Sequence, residues 1–229
     1  MITIKKLCKS YGSKEIIANW DYHFKNNKIY GLIGRNGIGK TTVLKCVCGL
    51  IIPDSGKVFT EKGDISKEDY LNRDITYVND EAVYYHNLTV WEHLWLICKV
   101  EKYRKEEAQT AISFYTNRLH MTEYLNYYPS ALSKGTLQRM MLIIGFLRKT
   151  PNLLLDEPFN GLDPVQLNEI MLIFNEEREK RCLIISSHDI EALAGLCDES
   201  LIMGTGGIQS VSGKIERSAV NQMIGASYD

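Results

Sequence analysis

The stretch GRNGIGKTT, Gly34 to Thr42, holds the residues whose types and spacing most clearly imply a chemistry. It fits G-x-x-x-x-G-K-[ST] in full, after an apolar run and before a helical run, KTTVLKCVCGL, that Gly49 can cap. Glycines at 34, 37 and 39 let backbone N–H groups curl around an anion without Cβ clashes. The helix that begins there adds the partial positive charge of its N-terminus. Lys40 can reach the outer phosphates of a nucleoside triphosphate, and the Thr41 hydroxyl can bind Mg²⁺.

A second cluster, NLLLDEPFNGLDP (152–164), supplies carboxylates. Asp156, at the end of an apolar strand, is placed to hold Mg²⁺ through its water shell. Glu157 comes directly after it, where it can polarise an attacking water as general base. Pro158 cannot donate to a ladder and ends the strand. Alone, LLLDE would serve equally as a strand running out into solvated acids; the intact glycine loop favours the metal and water chemistry. His188, in IISSHD, comes after another apolar strand and can bond the γ-phosphate and the attacking water.

The stretch LSKGTLQRM (132–140) opens a further helix. Ser133 can cap its first turn and donate to phosphate, and Gly135 permits close backbone approach. The N-terminal dipole of TLQRMMLIIGFLRK then points at the anion.

These groups need a scaffold that delivers strand ends and helix tips to one place. The runs KIYGLIG (28–34), NLLLD (152–156) and CLIISS (182–187) lack polar alternation and suit central strands covered on both faces. Asp156, Ser187 and His188 sit at strand ends, where open α/β sheets place ligands. MITIKKL alternates better and reads as an outer strand. From about 88 to 150 the pattern is helical: Trp91, Leu94, Trp95 and Cys98 share one face, as do Ala108, Ala111, Ile112 and Tyr115. This reads as a helical lobe inserted into an α/β body. A later helix begins after Pro164, with Leu167, Ile170, Met171 and Phe174 on one side.

The whole-chain numbers exclude some classes. With 27 Lys+Arg against 28 Asp+Glu, the 229 residues lack the basic excess of a nucleic-acid binder. A composition of 45% hydrophobic and 24% charged residues is that of a globular domain with a core. The N-terminus has no long apolar stretch of a secretory signal, and the longest apolar run, near MMLIIGFL, is far short of a membrane span. A cytosolic protein is expected. The six cysteines form no C-x-x-C pair and read as reduced, mostly buried residues.

The glycine loop, LSKGTLQRM, LLLDEPFNGLD and SSHD, in that order, resemble the nucleotide-binding domain of ATP-binding-cassette (ABC) transporters across essentially the whole chain. The resemblance implies an α/β P-loop NTPase fold: a RecA-like core with a mostly parallel sheet, a small antiparallel β subdomain and an inserted helical subdomain at about 86–150. Gly34, Arg35, Asn36, Gly37 and Ile38 then look like the first half of the Walker A loop, with Gly39, Lys40, Thr41 and Thr42 completing it. Asp156 looks like the Walker B acid, Glu157 like the catalytic glutamate and His188 like the switch histidine. Tyr11 resembles the aromatic that stacks on adenine, and GLD (161–163) the loop that spans the dimer. Asp80 falls where the family's pattern has a glutamine that contacts Mg²⁺. The signature, commonly L-S-G-G-Q, reads LSKGT, so Lys134 and Thr136 depart from it; Thr136 in place of a long amide is expected to weaken a contact to ribose or phosphate.

The same resemblance implies an ATPase, with ATP and Mg²⁺ bound, that dimerises head to tail with a second such subunit. It would energise separate transmembrane permease subunits from the inner face of the membrane. HNLTVWEHL (86–94) resembles subunits that serve export-type permeases. The competing reading is a soluble ABC-type ATPase that acts as a regulator or immunity factor, or on nucleic acid or ribosomes. One phosphate loop and no long heptad insertion weigh against the last of these.

Overall fold

The structure, a computed structural model, describes residues 1–68, 73–204 and 206–213. In chain order, β1 (Ile2–Tyr11) and β2 (Lys14–Phe24) form a hairpin, and β3 (Ile29–Ile33) leads through the glycine turn into α1 (Lys40–Val47). Next come β4 (Ser55–Thr60), β5 (Gly63–Asp64) and β6 (Ile75–Val78), then the helices α2 (Val90–Val100), α3 (Lys105–Arg118) and α4 (Lys134–Leu147). Then follow β7 (Asn152–Asp156), α5 (Pro164–Arg178), β8 (Cys182–Ser187), α6 (Ile190–Ala194), β9 (Glu199–Gly204) and β10 (Gly207–Ser212). Contacts divide it into two units. The first holds residues 1–77, 150–157 and the described residues from Arg178 onward; the second holds 78–149 and 158–177.

Two sheets make the framework. The six-stranded one has the order β10-β9-β3-β8-β7-β6, and β9, β3, β8 and β7 run parallel to one another. Every residue of β3, β7 and β8 is buried, as their unbroken apolar runs require. The second sheet, order β2-β1-β4-β5, is antiparallel. The expectation that MITIKKL is an outer strand fails here: β1 lies inside this sheet, between β2 and β4. Alternation reports one buried face, and an interior strand with a solvated face alternates as well as an edge strand does. Ile2, Ile4 and Leu7 of β1 join Phe24, Leu32, Leu44, Leu154 and Ile184 in one core.

α1 ends on a Schellman motif. The Leu50 amide donates to the Lys45 carbonyl at 2.8 Å and the Gly49 amide to that of Cys46 at 3.1 Å, with Gly49 at φ 74. Burial pushes the Cys46, Cys48 and Cys98 thiols up to about 11, and those of Cys182 and Cys197 to about 12. They behave as small hydrophobes. No helix among the described residues is long and apolar enough to cross a membrane.

In the second unit, α2 buries Val90, His93, Leu94 and Cys98, while Trp91 and Trp95 stack on each other at 5.7 Å and stay half-buried. Tyr115 of α3 stacks on Phe146 of α4, which meets Phe174 of α5 edge-on at 5.8 Å. The Tyr115 hydroxyl donates to buried Glu177 at 2.9 Å. Phe146→Ala removes the middle ring of this stack. It is expected to cost about 3–5 kcal/mol, read as a lower urea midpoint of unfolding.

Candidate functional site

The site in the first unit is assembled from the ends of β3, β7 and β8 and the tip of α1. After β3, Gly37 (φ 74) and Gly39 (φ 124) take backbone conformations that side chains rarely adopt. A Cβ on Gly39 would also stand 2.4 Å from Ile16 Cγ2. Gly39 is the N-cap of α1, so that helix opens with no capping side chain, and no acid lies in its first turn. α2, α4 and α6, by contrast, are capped by Thr89, Ser133 and Asp189. The first amides of α1 are orphan donors at a positive helix end. Lys40, 5% exposed, extends from this tip, and its ammonium donates to the Gly34 carbonyl at 2.8 Å. Arg35 and Asn36 are exposed at the turn, Ile38, Thr41 and Thr42 half-buried.

The acids are fixed by a residue that no sequence pattern singles out. In the parallel register Asp156 lies opposite Ser186. The Ser186 hydroxyl donates to Asp156 Oδ1 at 2.6 Å and accepts the Glu157 amide at 3.0 Å. Tyr77, equally unmarked in the sequence, donates to Asp156 Oδ2 at 3.0 Å. Only the pairing of distant strands selects Ser186 from the two serines of IISSHD, so no local pattern could find it. Glu157 has φ 47, an uncommon value for a residue with a side chain. Its Oε1 lies 3.0 Å from the Lys40 ammonium, charge against charge and off the line of a hydrogen bond. Its Oε2 lies 2.9 Å from His188 Nδ1. Lys40, Asp156, Glu157 and His188 thus share one cluster. Tyr11 is 51% exposed, with the Lys9 ammonium 5.4 Å from its ring centroid.

Three other sequence candidates belong to the second unit. Asp80 Oδ1 accepts from Asn160 Nδ2 at 3.0 Å. Ser133 caps α4, its Oγ accepting the Thr136 amide at 3.2 Å. Gly135 packs on backbone of its own chain, since a Cβ there would fall 2.3 Å from the Gly161 carbonyl oxygen. Lys134 is exposed, and Thr136, 5% exposed, faces inward. Its hydroxyl sits between Ser133 Oγ at 2.8 Å and Arg139 Nη2 at 3.2 Å. The Thr136 hydroxyl is therefore engaged within its own chain.

A glycine turn with uncapped amides and a buried lysine suits a polyphosphate, and a strand-end acid pair beside it suits hydrolysis. Residues 17–160 match the model of the ABC transporter family. The chain belongs to the ABC transporter family. The lipopolysaccharide export system ATP-binding protein LptB of Haemophilus influenzae is 31% identical over 217 residues, covering 91% of this chain and 88% of that protein. A solved ATP-binding subunit of an ABC transporter superposes with a TM-score of 0.86 at 24% identity, over 98% of this chain and 93% of the other. A dimeric ATP-binding cassette solved in a post-hydrolysis state with ADP and Pi has a TM-score of 0.83 at 20% identity, over 94% of this chain and all of that one (100%). Both structures share its P-loop NTPase fold. The chain is an ABC transporter ATP-binding subunit, and that family's domains are ATPases.

Ser186→Ala removes the one hydroxyl that serves both Asp156 and the Glu157 amide. It is expected to destabilise the fold by about 1–3 kcal/mol and to lower ATP turnover more than Ser187→Ala does. Urea unfolding and steady-state phosphate release on the two variants check this.

Proposed function

We propose that this ATPase subunit works as an ATP-dependent dimer that drives a separate permease, in the export direction, from the inner face of a membrane. The observation that carries the reading is the bare tip of α1, with Lys40 buried beside it and Glu157 3.0 Å from the lysine ammonium. Backbone amides from Gly37 to Thr42 and Lys40 bind the phosphates, and Tyr11 offers its exposed ring to the base. Glu157 accepts a proton from the water whose oxygen attacks the γ-phosphorus. The β–γ bridging bond breaks, and ADP and phosphate leave. His188 holds the Glu157 carboxylate in place.

The donor set also fits Mg²⁺. Asp156 is an ionisable oxygen donor whose two oxygens each accept one hydrogen bond and keep a lone pair, and Thr41 lies in the first turn of α1. Thr41 and Asp156 would hold the ion, which would neutralise charge on the phosphate oxygens. Ser133 and Gly135, at the tip of α4, meet the triphosphate held by a second subunit, which makes the dimer ATP-dependent. The dimeric structure with ADP and Pi supports a dimer, and the export named for LptB supports the direction.

Glu157→Gln keeps the shape of the side chain and loses the base. It is expected to slow turnover by about 10²–10⁴-fold and to double in mass at saturating ATP, by light scattering. A variant that stays monomeric with ATP bound would overturn the dimer. Recovery of a multi-span protein with the tagged chain from detergent-solubilised membranes checks the permease.

A further inference from the structure

Asp80 is bonded to a loop that touches the tip of α4. Its Oδ1 accepts from Asn160 Nδ2 at 3.0 Å, a charge-assisted bond between two half-buried side chains. Asn160 is the second residue of the turn Phe159–Leu162, closed by the Leu162 amide on the Phe159 carbonyl at 3.3 Å. Gly161 comes next at φ 76, which a third position in such a turn demands of glycine. On one side, Phe159 anchors this turn to Phe174, ring centroids 6.0 Å apart. On the other, the Gly161 backbone lies against Gly135 with no side chain between them. A Cβ on Gly135 would meet the Gly161 oxygen at 2.3 Å, and one on Gly161 would lie 3.5 Å from the Gly135 Cα and amide nitrogen. A movement of Gly161 toward Gly135 has no side chain to absorb it.

We infer that Asp80 is a positioning residue: through Asn160 it holds the Gly161 carbonyl against Gly135 and so sets where the tip of α4 presents Ser133. All of these residues lie in the second unit. The opposite flank of the tip is fixed independently. Arg139 donates to the Leu119 and His120 carbonyls at 2.8 and 3.1 Å and to Thr136 Oγ1 at 3.2 Å. The tip is thus supported from two sides, and the Asp80 side depends on the segment ahead of α2. The role rests on the proposed meeting of the α4 tip with ATP on a second subunit.

The test is a reciprocal swap in the Glu157→Gln background. Asn160→Asp removes the donor and sets a second carboxylate against Asp80. ATP-driven dimerisation, measured by sedimentation, is expected to weaken about tenfold, the effect of roughly one charged hydrogen bond, while ATP affinity of the monomer stays unchanged. Adding Asp80→Asn restores an amide–carboxylate pair with reversed roles, and is expected to recover dimerisation and to slow amide hydrogen exchange at Gly135 and Gly161 back to the parent rate. A merely structural contact would move the thermal midpoint and ATP affinity together. Asn160→Asp that dimerises like the parent, or a swap that restores neither readout, overturns the positioning role. A Glu157→Gln parent that never dimerises overturns the dimer reading instead, and exchange at the two glycines then decides the brace alone.

Discussion

One buried hydroxyl ties together the two acids at the end of β7. Ser186, near the end of β8 and opposite Asp156 at the end of β7, donates to that carboxylate and accepts the next amide of its chain. A strand sends successive side chains to opposite faces. Glu157 escapes the alternation because its backbone turns into the left-handed region at φ 47. Such a conformation costs on the order of 1–3 kcal/mol in a residue with a Cβ. The Ser186 bond, the Lys40 ion pair and the His188 contact offset it. Neighbouring acids thereby acquire separate surroundings, one braced by two hydroxyls and the other aimed at the lysine.

The pairing of Lys40 with Glu157 is also a charge balance. Their side chains are 6% and 11% exposed, and removing one partner from a buried pair leaves an uncompensated charge, a cost of about 3–5 kcal/mol. In the proposed function an incoming polyphosphate would supply the lysine with other anionic oxygens and release Glu157 from it, leaving the Glu157 contact with His188 Nδ1. On that proposal the same carboxylate satisfies the lysine alone and would be freed for proton transfer when a phosphate takes its place.

Much of this was legible in local sequence, and what was not has a common cause. The glycine loop could be read because φ > 0 and a bare helix tip are demands on neighbouring residues, and Gly37, Gly39 and Lys40 are neighbours. The apolar runs of β3, β7 and β8 could be read because burial on both faces leaves no polar alternation. Ser186 and Tyr77 reach Asp156 across about thirty and eighty residues of chain, distances that only strand pairing sets. The position of β1 escapes local pattern for the same reason, since its neighbours are decided by the sheet. In α2 the helical period was right, yet the buried line runs through His93 while the two tryptophans turn to each other.

The departures of LSKGT from L-S-G-G-Q fall where side chains leave the helix tip intact. Position 134 is exposed, and position 136 points inward. The Ser133–Thr136 pair can share its proton in either direction. If Ser133 donates, its proton is used internally; if Thr136 donates, Ser133 keeps a proton to offer an anion. The Arg139 guanidinium donates to Thr136 Oγ1, and that charge makes the threonine hydroxyl the better donor. A short hydroxyl in place of a long amide thus polarises the capping serine outward. In the proposed dimer Ser133 would then have its proton to offer the anion, with the helix start unchanged.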